Sequence, residues 1–172
     1  MCGINSIVFH KLSPNALVES FEHMLEKSKV DILWTEKNKE SGLFVFDIKL
    51  SDESQIRIMP LLRNISGGGW KNKQEILRIQ IGKPKQLKGY NEKVFNLLCG
   101  IGSYKDEDFV FYWNPRNYQT HAKNCSCYVY ISSIEKAYKT GFYKGLNMGK
   151  EVMVCKSDCI QEMFRELMNR YL

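Results

Sequence analysis

The chain has 172 residues, 44% of them hydrophobic and 26% charged, with a formal net charge of +6. That composition fits one globular domain with a real core and excludes a disordered or low-complexity chain. No apolar run approaches the ~18 residues that cross a bilayer, and the N-terminus lacks the basic-then-apolar layout of a signal peptide, so a cytoplasmic protein with no membrane partner is expected. In that setting the six cysteines (Cys2, Cys99, Cys125, Cys127, Cys155, Cys159) are expected as free thiols.

Ile4–Phe9 reads as a short strand and Pro14–Lys29 as a helix, with Ser13 as N-cap and Leu17, Phe21, Met24 and Leu25 on one face. Thr35–Ser41 reads as a polar loop. Leu43–Leu50 and Gln55–Leu62 make a hairpin across the turn Ser51–Ser54. Ile76–Ile81 alternates as a third strand, with Ile79 and Ile81 on one face and Arg78 and Gln80 on the other. Phe95–Ser103 and Phe109–Trp113 form a second hairpin around the acidic turn Tyr104–Asp108. Asn114-Pro115 breaks that strand, and Tyr128–Ile131 resumes one. Ser132 with Glu135 fits a capping box that opens a short helix through Tyr138, closed by Gly141. Phe142–Leu146 and Glu151–Cys155 pair, and a last helix follows Ser157 with Ile160, Met163, Phe164 and Leu167 on one face. About seven short strands and three helices without βαβ alternation predict a mainly β fold with helices (α+β), a mostly antiparallel barrel or sandwich capped by helices. One domain is expected, with residues 1–42 as a helical appendage and 43–172 as the strand-rich body.

Positive charge is local. Arg63 to Lys88 holds seven basic residues and one acid, +6 by itself, and Asn114 to Cys127 adds Arg116 and Lys123 without an acid. The first stretch contains the loop Asn64 to Glu75, where Gly67, Gly68 and Gly69 leave bare backbone and Trp70, Lys71, Asn72 and Lys73 follow. Bare backbone, an aromatic and spaced cations suit a polyanion such as DNA, although a solvated hairpin loop would also use such glycines. A P-loop is excluded, because the G-x-x-x-x-G-K-[ST] spacing is missing and a strand follows where a helix is required. The second loop offers Arg116 for guanine, Asn117, Gln119 and Asn124 for adenine, Lys123 for phosphate, and Tyr118 and His121 beside them: the inventory of a base-reading element.

Three other chemistries compete. His121, Cys125 and Cys127 lie close in sequence, but zinc needs four ligands, and the Cys-x-Cys pair is read as pointing to opposite faces of a strand edge. Neither a metal nor a cofactor is expected. Asp47 and Lys49 resemble half of the D-(D/E)-x-K site of a metal-dependent nuclease, without its second carboxylate. Basic loops on a β scaffold also suit an RNA-binding or protein-interaction module.

Two segments carry a family resemblance: I-R-I-M-P-L-L-R-N-I-S-G-G-G-W-K-N-K-Q-E-I-L-R-I-Q-I, and L-L-C-G-I-G-S-Y-K-D-E-D-F-V-F-Y-W-N-P-R-N-Y-Q-T-H-A-K-N-C-S-C-Y-V-Y-I. In this order they resemble the B3-like DNA-recognition domains of prokaryotic restriction systems of the EcoRII, BfiI and LlaJI types, over roughly Leu43 to Phe164. The resemblance implies a B3-like open seven-stranded pseudobarrel flanked by helices, gripping double-stranded DNA in the major groove with two arms and performing no catalysis itself. By position the N-arm would use Asn64, Ser66, Gly67, Gly68, Gly69, Trp70, Lys71, Asn72 and Lys73, and the C-arm Arg116, Asn117, Tyr118, Gln119, His121, Lys123 and Asn124. Arg63, Arg78, Lys83 and Lys85 would contact the DNA backbone. Trp70 stands where arginine is common in such arms, so no guanine contact carries over there. The flanking helices look like the DNA-binding front of a LlaJI-type protein, which implies an McrB-like AAA+ GTPase domain elsewhere in the full-length chain and a nuclease subunit as partner.

Overall fold

Period-two alternation in the outer strands and continuous apolar runs in the central ones make strand the commonest element among the described residues, and each apolar face needs a layer to cover it. The computed structural model describes residues 7–9, 11–73, 75–82, 93–118 and 124–171. Its elements are β1 (Ile7–Val8), α1 (Pro14–Lys27), β2 (Asp31–Lys37), β3 (Phe44–Lys49), β4 (Gln55–Asn64), β5 (Ser66–Gly67), β6 (Ile76–Ile81), β7 (Phe95–Tyr104), β8 (Glu107–Trp113), β9 (Cys125–Tyr130), α2 (Ile131–Thr140), β10 (Phe142–Asn147), β11 (Lys150–Lys156) and α3 (Ile160–Tyr171). Seven strands cross the main sheet in the order β10-β11-β8-β7-β4-β3-β2, with β1 also pairing β7; β5, β6 and β9 form a second, three-stranded sheet. The fold is α+β, and the main sheet stays open, with β10 and β2 at its ends.

Each face of the main sheet has its own core. On one side Leu17, Phe21, Met24 and Leu25 of α1 and Ile160, Met163, Phe164 and Leu167 of α3 meet Phe46, Ile58, Leu97, Val110, Tyr112 and Met153. On the other, Ile79, Ile81, Cys127 and Val129 of the small sheet and Ile134 of α2 meet Leu98, Phe109, Phe111, Trp113, Val152 and Val154. Both helix stripes are the expected ones, and Ser13 caps α1 by accepting the Ala16 amide at 3.2 Å. Residues 11–42 are therefore no appendage: α1 closes the first core and β2 pairs with β3.

The small sheet comes close to the main one because β7 turns glycines towards it. A Cβ on Gly100 would lie 2.9 Å from Ile79, 3.0 Å from Ile65 and 3.2 Å from Trp113. Gly100→Ala is expected to destabilise the domain by about 1–3 kcal/mol through overpacking, read as a lower midpoint in urea denaturation.

Two local expectations change, and one pairing is new. Asp31–Lys37 is a strand where a loop was expected from Thr35; as an edge strand exposed on both faces it lacks apolar alternation. β4 pairs β3 in the expected hairpin and on its other side runs parallel to β7, from Ile58 opposite Phe95 to Asn64 opposite Ile101. The chain then crosses to the second sheet. Ser132 does not cap α2, which starts at Ile131 with Tyr130 as an N-cap that makes no side-chain bond. Asn147 takes that place, its Oδ1 accepting the Tyr130 amide at 2.7 Å and the Ser133 hydroxyl at 3.1 Å. Gly141 ends α2 at φ +89°, as expected. Cys99, Cys125, Cys127, Cys155 and Cys159 are free thiols. No described helix is long and apolar enough to cross a membrane.

Candidate nucleic-acid interface

The two charged loops lie at opposite ends of the small sheet. β5 and β6 pair at Ser66 with Arg78 and Gly67 with Leu77, so residues 68–75 are a hairpin tip beyond the N-terminal end of β6. β6 pairs antiparallel with β9 from Ile76 opposite Tyr130 to Ile81 opposite Cys125. The loop that leads into β9 therefore meets the other end of β6. Six residues of strand separate the loops by roughly 17 Å, comparable with a major groove about 12 Å wide and its bordering backbones.

At the N-arm tip the glycines have distinct reasons. A Cβ on Gly68 would meet the Ile76 carbonyl oxygen at 2.7 Å, and Gly69 has φ +84°, a left-handed conformation that side chains disfavour. Gly68 donates its N–H to that same carbonyl at 3.0 Å, which tightens the hairpin. The chain then lays Trp70 flat on Tyr128 of β9, with ring centroids 5.0 Å apart and an interplanar angle of 27°. Lys73 Nζ sits 5.6 Å from the Trp70 ring centroid. Gly67, Gly69, Trp70, Lys71, Asn72 and Lys73 are exposed. None of these cations forms an ion pair among the described residues, whereas the scaffold's charges do: Arg57 with Asp47, Lys144 with Glu166, and Arg170 with Glu151.

The C-arm leaves β8 through a short 3-10 turn at Pro115–Asn117, which Asn114 caps by accepting the Arg116 amide at 3.0 Å. Arg116, Asn117 and Asn124 are exposed. Between the arms the outward side chains of the small sheet are Ser66, Arg78 and Gln80, with Ser126 and Tyr128 opposite the last two. Tyr128 and Ser126 complete this surface without having been singled out from the sequence; the alternation in C-S-C-Y-V-Y was the available signal. Gln119, His121, Lys123, Lys83 and Lys85, also expected to touch DNA, lie outside the described residues.

Tyr118 and Asn64 are taken up by the fold, and Arg63 and Arg78 have partners within it. Tyr118 is only 2% exposed and belongs to the second core, so it gives no face to a ligand. Burial, foremost, pushes its phenol well above the usual tyrosine range. Asn64 is tied to the N-terminal segment: its Oδ1 accepts the Leu12 amide at 3.1 Å and its Nδ2 donates to the Leu12 carbonyl at 2.9 Å. Arg63 continues β4, donates to the Leu62 carbonyl at 2.9 Å, and has its pKa lowered by burial. Arg78 lies under the tip, its guanidinium 3.0 Å from where a Gly69 Cβ would be and 3.4 Å from Ser126 Oγ. It braces the arm from beneath. For Asn64, Arg63 and Arg78 strand pairing, and for Tyr118 the 3-10 turn after β8, decides the direction of a polar side chain that sequence alone leaves open.

The competing sites also resolve. Both Asp47 oxygens are taken by Arg57, at 2.6 and 2.8 Å, and that bond holds the carboxyl below its usual range. Lys49 pairs with Glu53 at 3.2 Å and Asp31 at 3.7 Å. A metal at Asp47 would first have to displace a guanidinium. Cys125 and Cys127, two residues apart, share the inward face of β9, contrary to the expectation of opposite faces. Burial pushes the Cys127 thiol up to about 12, so it is held as a thiol in the core. Among the described residues no group of three or more His, Cys, Asp or Glu is placed to hold a metal ion.

The family model described as methylase-associated X1 matches residues 56–164, a span that contains both arms, the small sheet and most of the main sheet. No curated protein and no solved structure matches the chain.

Proposed function

The chain belongs to the methylase-associated X1 family, a family of restriction-modification contexts, and from that premise we propose that it is a non-catalytic domain that reads duplex DNA by sequence. The observation that carries the proposal is that the N-arm tip, with Gly67, Gly69, Trp70, Lys71, Asn72 and Lys73 exposed, and the described flanks of the C-arm, with Arg116, Asn117 and Asn124 exposed, belong to the two ends of one small sheet. Lys71 and Lys73 neutralise phosphates, Arg116, Asn117 and Asn124 meet base edges, and the Trp70–Tyr128 pair gives the N-arm a stiff apolar side. This is the two-armed grip of B3-like domains, and the open sheet with its helical flanks is compatible with it. The family description points to a DNA methylase as partner. The resemblance to LlaJI-type proteins adds an McrB-like GTPase and a nuclease as further effectors that such a domain would target to a site.

The test is selection from a randomised duplex library at two salt concentrations, with methylated and unmethylated copies, followed by sequencing of the bound fraction. A short enriched motif with salt-sensitive affinity is expected, and Arg116→Ala or Asn117→Ala should each relax preference at single positions by about 1–3 kcal/mol. Salt-sensitive binding without any motif would leave the arms as backbone clamps and refute site reading. Preference for single strands or A-form duplex would move the assignment to RNA.

A further inference from the structure

The turn between β10 and β11 reaches both arms. It is a tight turn with Met148 at φ +52° and Gly149 at φ +75°. On its β10 side, Asn147 is 2% exposed and accepts the Tyr130 amide, and the Met148 amide donates to the Tyr130 hydroxyl at 3.2 Å. Tyr130 ends β9 opposite Ile76, the residue that closes the N-arm hairpin. Met148 also lines a cleft with Lys73, Glu75 and Ile76 of that arm. On the β11 side, Lys150 Nζ stands 4.2 Å from the Tyr118 ring centroid and donates to the Asn117 carbonyl at 3.3 Å. Tyr118 is the buried end of the C-arm's 3-10 turn, so the Lys150 ammonium is spent on the arm's root.

From these contacts we propose that the β10–β11 turn is a strut that sets the spacing and orientation of the two arms, with Lys150 the positioning residue for the C-arm. The inference rests on the DNA-reading proposal for its functional consequence. Its structural content stands apart from that proposal, because the Lys150 ammonium already acts on Tyr118 and Asn117 within the fold. A cation over an aromatic face and a bond to a carbonyl need the ammonium and not only the stem, so Lys150→Met removes both while keeping the packing. Lys150→Arg keeps a cation and donors and should rescue.

Two measurements on the full chain separate the outcomes. In library selection, Lys150→Met is expected to flatten preference, roughly tenfold, at the motif positions that Arg116→Ala also affects, and to leave the others unchanged. The slope of log affinity against log salt should stay at the wild-type value, and Lys150→Arg should restore the motif. Preserved preference with the slope reduced by about 0.9 would make Lys150 a phosphate contact and overturn the strut. In hydrogen exchange without DNA, the amides of Arg116, Asn117 and Tyr118 should exchange faster in Lys150→Met by roughly tenfold, with β7 and β8 unchanged. Unaltered exchange there would also overturn it. Should the wild type enrich no motif, the DNA-reading proposal is what fails, and the exchange experiment still decides the strut.

Discussion

Replacing Lys71 and Lys73 together by alanine is expected to weaken binding to every DNA duplex, enriched or random, by on the order of 50-fold at 0.1 M salt. Each lysine that neutralises a phosphate releases condensed counterions and contributes roughly 0.9 decade of affinity under those conditions. The slope of log affinity against log salt should therefore become shallower by about 1.8. Both side chains are exposed on the N-arm tip and neither forms an ion pair among the described residues, so their removal breaks no ion pair there and the melting temperature should hold. Lys73 also stands over Trp70, so the single Lys73→Ala variant should loosen the tip somewhat more than Lys71→Ala. Fluorescence-anisotropy titration across a salt series measures both quantities. Loss confined to the enriched motif, with the slope unchanged, would mean that the lysines read bases rather than phosphates.

The largest effect on stability is expected at Trp113. Its ring is fully buried at the end of β8, lies within 6.2 Å of Phe111 in a stacked pair, and donates its indole N–H to the Tyr128 carbonyl at 2.9 Å. It therefore fills the second core and bonds the main sheet to the strand that carries the outer aromatic pair. Trp113→Ala should cost about 3–5 kcal/mol, a large part of the roughly 5–15 kcal/mol available to a domain of this kind. The melting temperature should fall by on the order of 10 °C. Trp113→Phe keeps most of the packing and loses the bond to Tyr128, so a cost of about 1–2 kcal/mol is expected. Thermal and urea unfolding of both variants check this. Equal losses in the two would show that the bond to β9, and not the volume of the ring, dominates at this position.

Much of the candidate interface was legible without coordinates, for a physical reason. Basic charge clustered in sequence without acids beside it belongs to loops, and Lys71, Lys73 and Arg116 are exposed as that argument requires. Legibility failed where a polar side chain had two possible employers. Asn64 and Tyr118 have the chemistry of DNA contacts, and the fold uses one to hold Leu12 and the other to fill a core. Tyr128 failed in the other direction: in sequence it was one aromatic of a strand, and its partner Trp70 lies 58 positions away.

The sequence by itself determined the three helices and the hairpins β3–β4, β7–β8 and β10–β11. The stripes of α1 and α3, the turns between β3 and β4 and between β7 and β8, and the glycine that ends α2 depend on periodicity and turn chemistry within a few residues, and those are local. Only the tertiary structure decided that β4 runs parallel to β7, that β6 leaves it for β9, and hence that the N-arm tip and the start of β9 lie at opposite ends of one small sheet. Strand pairing between distant segments is chosen by which faces can be buried together, here through glycines on β7 that admit Ile65 and Ile79. No local pattern encodes that choice. The same holds for Lys150, whose basic charge reads as surface and whose ammonium the fold places on the root of the C-arm.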